Sequence, residues 1–165
     1  MSALGTSAQI AVAIAGFAGV VVVFRGESVQ DWGRVEKFWL RLLLVNSILP
    51  LAFSMVGLLT LAIEPELPGI WQWCSGFAAV FLIPYAALIL KTLRHFMPGE
   101  LRAAGGNKVI AYTLYGLLVA ACLLQLFNVT MLAVFWPFFS AIIFLLLGSM
   151  YQFVRLVVTP QKPGA

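Results

Sequence analysis

Charged side chains are scarce in this chain of 165 residues. Asp, Glu, Lys and Arg make up 10% of it, whereas a soluble domain carries about 25%. Hydrophobic residues make up 62%, which leaves too few polar side chains to cover a wetted surface. This composition excludes an ordinary soluble enzyme and a disordered tail, and ten Lys and Arg are too few for a nucleic-acid-binding face. It indicates an integral membrane protein that binds no nucleic acid.

The sequence also lacks the groups that chemistry inside a membrane needs. His95 is the only histidine, and no acidic or basic residue falls in the central part of any apolar run. Pumps and proton-coupled transporters place such residues there, and enzymes within membranes need acids, bases or metal ligands. We therefore predict that the protein is not an enzyme, has no catalytic residue, and holds no metal and no cofactor.

Two cysteines are present, and their separation in the sequence fits no metal site. Cys74 and Cys122 fall near the same predicted membrane face, each within two turns of a span's outer end. A disulfide near an oxidising face and two separate packed thiols both stay open.

Five apolar runs reach the roughly 20 residues that a helix needs to cross a bilayer. They are apolar on all sides, whereas the strands of a membrane barrel alternate. We predict an all-α integral membrane bundle of five transmembrane helices, forming a single domain over residues 1–165. The spans are expected at about residues 3–24, 38–63, 70–91, 109–127 and 129–157.

The last two runs form one apolar stretch that is too long for a single crossing. We predict a tight hairpin at Asn128, Val129 and Thr130, near its middle; these residues also match the N-glycosylation pattern, but a capped turn is the simpler interpretation. With five crossings, all ten Lys and Arg fall on one side, and Glu64 and Glu66 on the other. Since positive residues favour the cytoplasm, the N-terminus is expected outside and the C-terminus inside.

The cytoplasmic connections carry two local signals. Ser28 and Asp31 resemble a capping box, which predicts that the second helix begins near Ser28. The loop from about Lys91 to Lys108 holds four cations, which favour contact with anionic lipid. The expected partners are the lipid bilayer, with anionic lipid on the cytoplasmic side, and a second copy or another membrane protein.

The first span contains small residues at four-residue spacing. Ala11, Ala15 and Gly19 form this stripe, and Gly16 lies beside it. Small residues at this spacing let two helices approach closely. The stripe predicts helix packing, either with another helix of this chain or with a second copy.

Three prolines, Pro50, Pro84 and Pro137, fall inside predicted spans, where a missing N–H kinks a helix. The polar residues Asn46, Ser47, Ser54 and Tyr85 lie near the first two and are the candidate ligand-binding residues. They either line a cytoplasm-facing cavity or bond between helices. We expect the packed arrangement, and a cavity lined by at least three of the four would contradict it.

Three segments resemble a group of small bacterial multi-pass inner-membrane proteins. They are residues 14–22 (IAGFAGVVV) with Phe24 and Arg25 after them, residues 135–138 (FWPF) and residues 152–156 (QFVRL). The group has no established activity, so the resemblance implies a location in the cell inner membrane and no function.

Three functions stay open at this point. The preferred one is a structural or accessory membrane protein that acts by helix packing with itself, a partner protein or lipid. The first alternative is a small channel or carrier with a polar cavity that faces the cytoplasm. The second, suggested by 13 Phe, 5 Trp and 4 Tyr, is a pigment- or lipid-binding subunit.

Overall fold

A computed structural model describes residues 2–24, 28–63, 68–96 and 108–158. Within these ranges the chain forms five long α-helices and no strand. Each helix is long and apolar enough to cross a membrane, which confirms the predicted all-α fold with five spans. The helices are α1 (Ser2–Phe24), α2 (Arg34–Ile63), α3 (Ile70–His95), α4 (Lys108–Phe127) and α5 (Phe135–Val158).

Helices α2 and α5 form the centre of the bundle. They pack along each other, and α1 lies against both of them. Helix α3 packs mainly on α4, and this pair closes the other side through contacts of α4 with α5. The main core therefore lies where α2, α3 and α5 meet, around the fully buried side chains of Phe53, Leu82 and Phe138.

The start of α2 differs from the sequence prediction. Ser28 caps only a short 3-10 turn, Val29–Asp31, by accepting from the Gln30 N–H at 3.3 Å. Helix α2 begins at Arg34, because the carboxylate of Glu36 accepts from the Gly33 N–H at 3.0 Å. This contact is the Glu half of a capping box, shifted five residues along the chain from the predicted one.

The α4–α5 hairpin also turns later than predicted. After α4 the chain continues through a π-helical turn, Asn128–Leu132, and reverses at Ala133 and Val134. Ala133 has a φ of 52°, the left-handed conformation that ends the helix. The reversal follows from the side chain of Asn128, which bonds to both backbone groups of Val134.

Because the turn comes later, one of the three predicted kink prolines lies at the start of a helix and not inside it. Pro137 is the third residue of α5, within the first turn, where the missing N–H has no helical partner to lose. The prediction of a kink inside a span is therefore wrong for this proline. Pro50 and Pro84 do lie inside α2 and α3, with Pro50 buried and Pro84 exposed.

Cationic side chains gather at one end of the bundle, here called the basic end. The start of α2, the end of α3 and the start of α4 meet there in a cluster of Val35, Leu93, Phe96 and Ala111. The end of α5 joins them, because the guanidinium of Arg155 lies over the Trp39 ring at 4.1 Å. The described cations at this end are Arg34, Lys37, Arg41, Lys91, Arg94 and Arg155.

Candidate functional site

The small residues of α1 are divided between two faces of the helix. Ala11 is buried in the main core and Ala15 is half-buried. Gly16 and Gly19 are exposed, and a methyl group built on either would meet nothing within 4 Å. The face that packs inside the chain is formed by Leu4, Ser7, Ala11 and Ala18. Packing of the glycines against a second copy stays a prediction.

The four predicted ligand-binding residues also separate. Ser47 is buried and donates to the Leu43 carbonyl of its own helix at 2.9 Å. Ser54 is buried, and its hydroxyl has no hydrogen-bond partner among the described residues. Asn46 and Tyr85 instead line a cavity in the half of the bundle nearest the basic end. Two of the four residues therefore meet at this cavity, and two do not.

The cavity lies between α2, α3, α4 and α5. It runs from Phe38, Leu93 and Ala111 at the basic end to Leu118 and Phe144 near the middle of the bundle. Its volume is about 40 Å³, several times the 10–15 Å³ or so that one water molecule needs. Most of the lining is aliphatic or aromatic, so the cavity is an apolar space with a few polar groups in its wall.

Three of those polar groups form a hydrogen-bonded chain across three helices. The hydroxyl of Tyr85 in α3 donates to Asn46 Oδ1 in α2 at 2.8 Å. Asn46 Nδ2 then donates to Gln152 Oε1 in α5 at 3.3 Å. The two amide residues are nearly buried, with exposed fractions of 8% for Asn46 and 5% for Gln152.

Gln152 lines the cavity but is not among the four predicted ligand-binding residues. Its place in an apolar helix, four residues after Gly148, was the available signal. Gly148 makes room for the partner amide, because a methyl group there would lie 3.2 Å from Asn46 Nδ2. The one-turn spacing puts the glycine and the glutamine on the same face of α5.

Aromatic rings surround the end of the cavity at the basic end. Trp39 lies under the Arg155 guanidinium, and its ring meets that of Phe38 edge-on at 5.5 Å between centroids. Phe38 in turn meets Phe96 at 5.3 Å. The indole N–H of Trp39 is buried without a hydrogen-bond partner in the described part of the chain. None of the described lining residues carries a charge.

A second polar cluster, formed by Gln125, Asn128 and Ser75, lies at the opposite end of the bundle. Asn128 is fully buried and donates to Ser75 Oγ at 2.7 Å as well as to the turn. Gln125 donates to the Pro137 carbonyl at 2.7 Å. These contacts join α3, α4 and α5, so the cluster fixes the hairpin, while Gln125 Oε1 is buried without a hydrogen-bond partner among the described residues.

The two cysteines and the single histidine do not line the cavity. Cys74 and Cys122 are both free and buried, and the Cys74 sulfur lies 3.5 Å from the Thr60 hydroxyl. His95 is exposed at the basic end, with Nδ1 2.7 Å from the Lys91 carbonyl. Across the described ranges, no three His, Cys, Asp or Glu residues gather as metal ligands would.

Comparisons with known proteins do not add a function to this geometry. No family model, no curated protein and no solved structure matches the chain.

Proposed function

We propose that this multi-pass membrane protein is an accessory protein, which acts by packing with itself, a partner protein or lipid. The observation that carries the proposal is that several buried polar side chains have hydrogen-bond partners within the bundle. Ser47, Ser149 and Gln125 donate to backbone carbonyls, and Asn128 donates to the hydroxyl of Ser75. In the described bundle these groups support packing, whereas a transport path would need them to face a continuous polar channel.

The cavity supports the same proposal, because its inner end is closed by apolar side chains. Leu118 and Phe144 line its inner end, and both belong to the apolar core or pack against it. Beyond them lie the fully buried rings of Phe53 and Phe138. A polar solute that entered from the basic end would meet this apolar cluster halfway across the membrane, which disfavours the channel or carrier alternative.

The proposal includes an orientation and a location. The described cations lie together at the basic end, and positive residues favour the cytoplasm. The basic end is then cytoplasmic and in contact with anionic lipid, and the N-terminus is outside. The resemblance of residues 14–22, 135–138 and 152–156 to bacterial proteins favours the cell inner membrane.

Chemical cross-linking followed by purification in a mild detergent tests the accessory role. We expect a stoichiometric complex, with a second copy or with one other membrane protein, at a mass above that of the 18.0 kDa chain. Sealed vesicles containing the purified protein should release trapped ions and small solutes no faster than empty vesicles. A protein that stays monomeric in the cross-linked membrane and speeds solute release would contradict the proposal.

The second candidate function is a subunit that binds a lipid-soluble molecule. The observation that favours it is the apolar, aromatic cavity with a hydrogen-bonded amide pair in its wall. An accessory protein can hold such a molecule, so the two functions are compatible.

A further inference from the structure

We infer that the cavity between α2, α3, α4 and α5 binds a small cluster of water molecules, held by the hydrogen-bonded chain of Tyr85, Asn46 and Gln152. The inference goes beyond the accessory role, which requires no ligand. It competes with the second candidate function, because water and a lipid-soluble molecule cannot fill the same space.

The size and charge of the cavity fit water. A volume of about 40 Å³ is room for about three water molecules, at roughly 10–15 Å³ each. A drug-sized molecule needs a pocket of roughly 300–1,000 Å³. An ion is disfavoured as well, because the described lining residues include no acid and no base to replace its hydration.

The hydrogen-bonded chain has unused donors and unused acceptors. Asn46 Nδ2 has two N–H groups and uses one of them for Gln152 Oε1. Gln152 Nε2 has two further N–H groups, and within the described residues nothing accepts from them. Each of the two amide oxygens accepts one bond, although its lone pairs allow two. Water satisfies both needs, because it donates and accepts, and buried water typically makes about three such bonds.

Pro50 adds a further need for a donor at the same place. It lies four residues after Asn46 in α2 and has no N–H, so the backbone carbonyl of Asn46 lacks its usual helical donor. Ordered water is one of the groups that replace such a donor in membrane helices. Because Asn46 lines the cavity, water bound there lies beside the residue whose carbonyl needs it.

Radiolytic labelling of the full chain in detergent tests the inference. A short X-ray pulse splits water into hydroxyl radicals, so a bound water molecule oxidises the side chains beside it even where bulk water does not reach. Mass spectrometry of the peptides then gives an oxidation rate for each side chain.

Two phenylalanines of α5 form the matched pair for this measurement. Phe144 lines the cavity, whereas Phe139 is also half-buried but packs against the main core and does not line the cavity. We expect Phe144 to be oxidised several times faster than Phe139. Bulk water alone would favour the opposite order, because Phe139 lies nearer the end of the helix.

Two variants assign the water to the amide pair. Gln152→Leu keeps the approximate size of the side chain and removes its polar groups, so the cavity should become dry and the oxidation rate of Phe144 should fall to that of Phe139. Ser149→Ala is the matched control, because Ser149 is buried on the same helix, bonds to its own Leu146 carbonyl and does not line the cavity. It should leave the rate at Phe144 unchanged.

Two results would overturn the inference. Equal oxidation rates of Phe144 and Phe139 in the unmodified protein would mean that the cavity is dry or filled by an apolar molecule, and this comparison needs no variant. An unchanged rate at Phe144 in folded Gln152→Leu would mean that the amide pair does not hold the water. Neither result bears on the cross-linked complex, so the accessory role stands or falls on its own experiment.

Discussion

At the scale of single residues, the buried amides decide most of what is specific in this apolar chain. Asn128 is the most fully bonded of them. Its Nδ2 donates to Ser75 Oγ, to the Val134 carbonyl at 3.0 Å and to the Trp71 carbonyl at 3.4 Å. Its Oδ1 accepts from the Val134 N–H at 3.1 Å. The sequence predicts Asn128 only as a turn residue, but its side chain also binds the α4–α5 hairpin to α3.

Replacing this amide should destabilise the protein. Asn128→Ala leaves the Val134 N–H without its partner and removes the bond to Ser75, so we expect the free energy of unfolding to fall by about 1–3 kcal/mol. Unfolding of the purified protein in detergent, titrated with dodecyl sulfate, measures it.

Thr130→Ala is the control for this prediction, since Thr130 is exposed and bonds only to carbonyls of the preceding turn. Its effect should stay within about 0.5 kcal/mol. Equal losses in the two variants would show that the Asn128 contacts add nothing to stability.

At the scale of helices, the close approach of α1, α2 and α5 depends on one glycine in α2 and not on the glycines of α1. A methyl group on Gly57 would lie 2.9 Å from the end of Leu4 in α1 and 3.2 Å from the ring of Phe138 in α5. Gly57 thus lies where three helices meet. On α1, by contrast, Gly16 and Gly19 face outward with open space around them. Spacing of small residues in a sequence identifies a helix that can pack closely, but not the face that does.

A pair of matched substitutions tests this difference. Gly57→Leu overfills the junction of α1, α2 and α5, so the free energy of unfolding should fall by about 1–3 kcal/mol. Gly19→Leu meets no neighbour within the chain and improves helix propensity, so the monomer should be unchanged or more stable by up to about 1 kcal/mol. The same detergent titration compares them, and similar losses in both would refute the assignment.

The size of the detergent complex adds a second readout for Gly19→Leu. A smaller complex with an unchanged monomer would mean that the outer face of α1 joins copies of the chain. A complex of unchanged size would mean that this face contacts lipid.

At the scale of the whole molecule, five crossings place alternate connections at opposite ends of the bundle. The start of α3 lies at the end away from the described cations, and the end of α3 lies among them. The bundle itself is the same whichever way it is inserted. Its orientation in the membrane therefore rests on the distribution of charge, through the preference of positive residues for the cytoplasm.

Labelling with a membrane-impermeant maleimide on intact cells tests this orientation. Pro68 and Arg94 are both exposed, at opposite ends of α3. We expect Pro68→Cys to react from outside and Arg94→Cys to react only after the membrane is made permeable.

The unmodified chain is the control for labelling, because both native cysteines are buried and should stay unlabelled. Reaction of Arg94→Cys in intact cells, or of both positions from the same side, would reverse or exclude the proposed topology.

The sequence by itself determined the class of protein and the number of spans. Length and hydropathy suffice for this, because a helix that crosses a bilayer must be apolar over about 20 residues whatever its neighbours are. It also determined that the described cations gather at one end, since each crossing reverses the chain. The start of α2 and the turn between α4 and α5 were less well predicted. Both depend on hydrogen bonds, of Glu36 and of Asn128, that form only for a particular path of the backbone.

Only the tertiary structure decided which polar side chains meet. Asn46, Ser47 and Ser54 all lie on α2, yet Asn46 alone lines the cavity, where Tyr85 and Gln152 join it. A helix that is apolar on every side has no hydrophobic face to fix its rotation, so hydropathy cannot tell which residue points to which neighbour. That rotation is set by the packing of side chains such as Phe53, Phe138 and Gly57 between helices, which exists only once the bundle has formed.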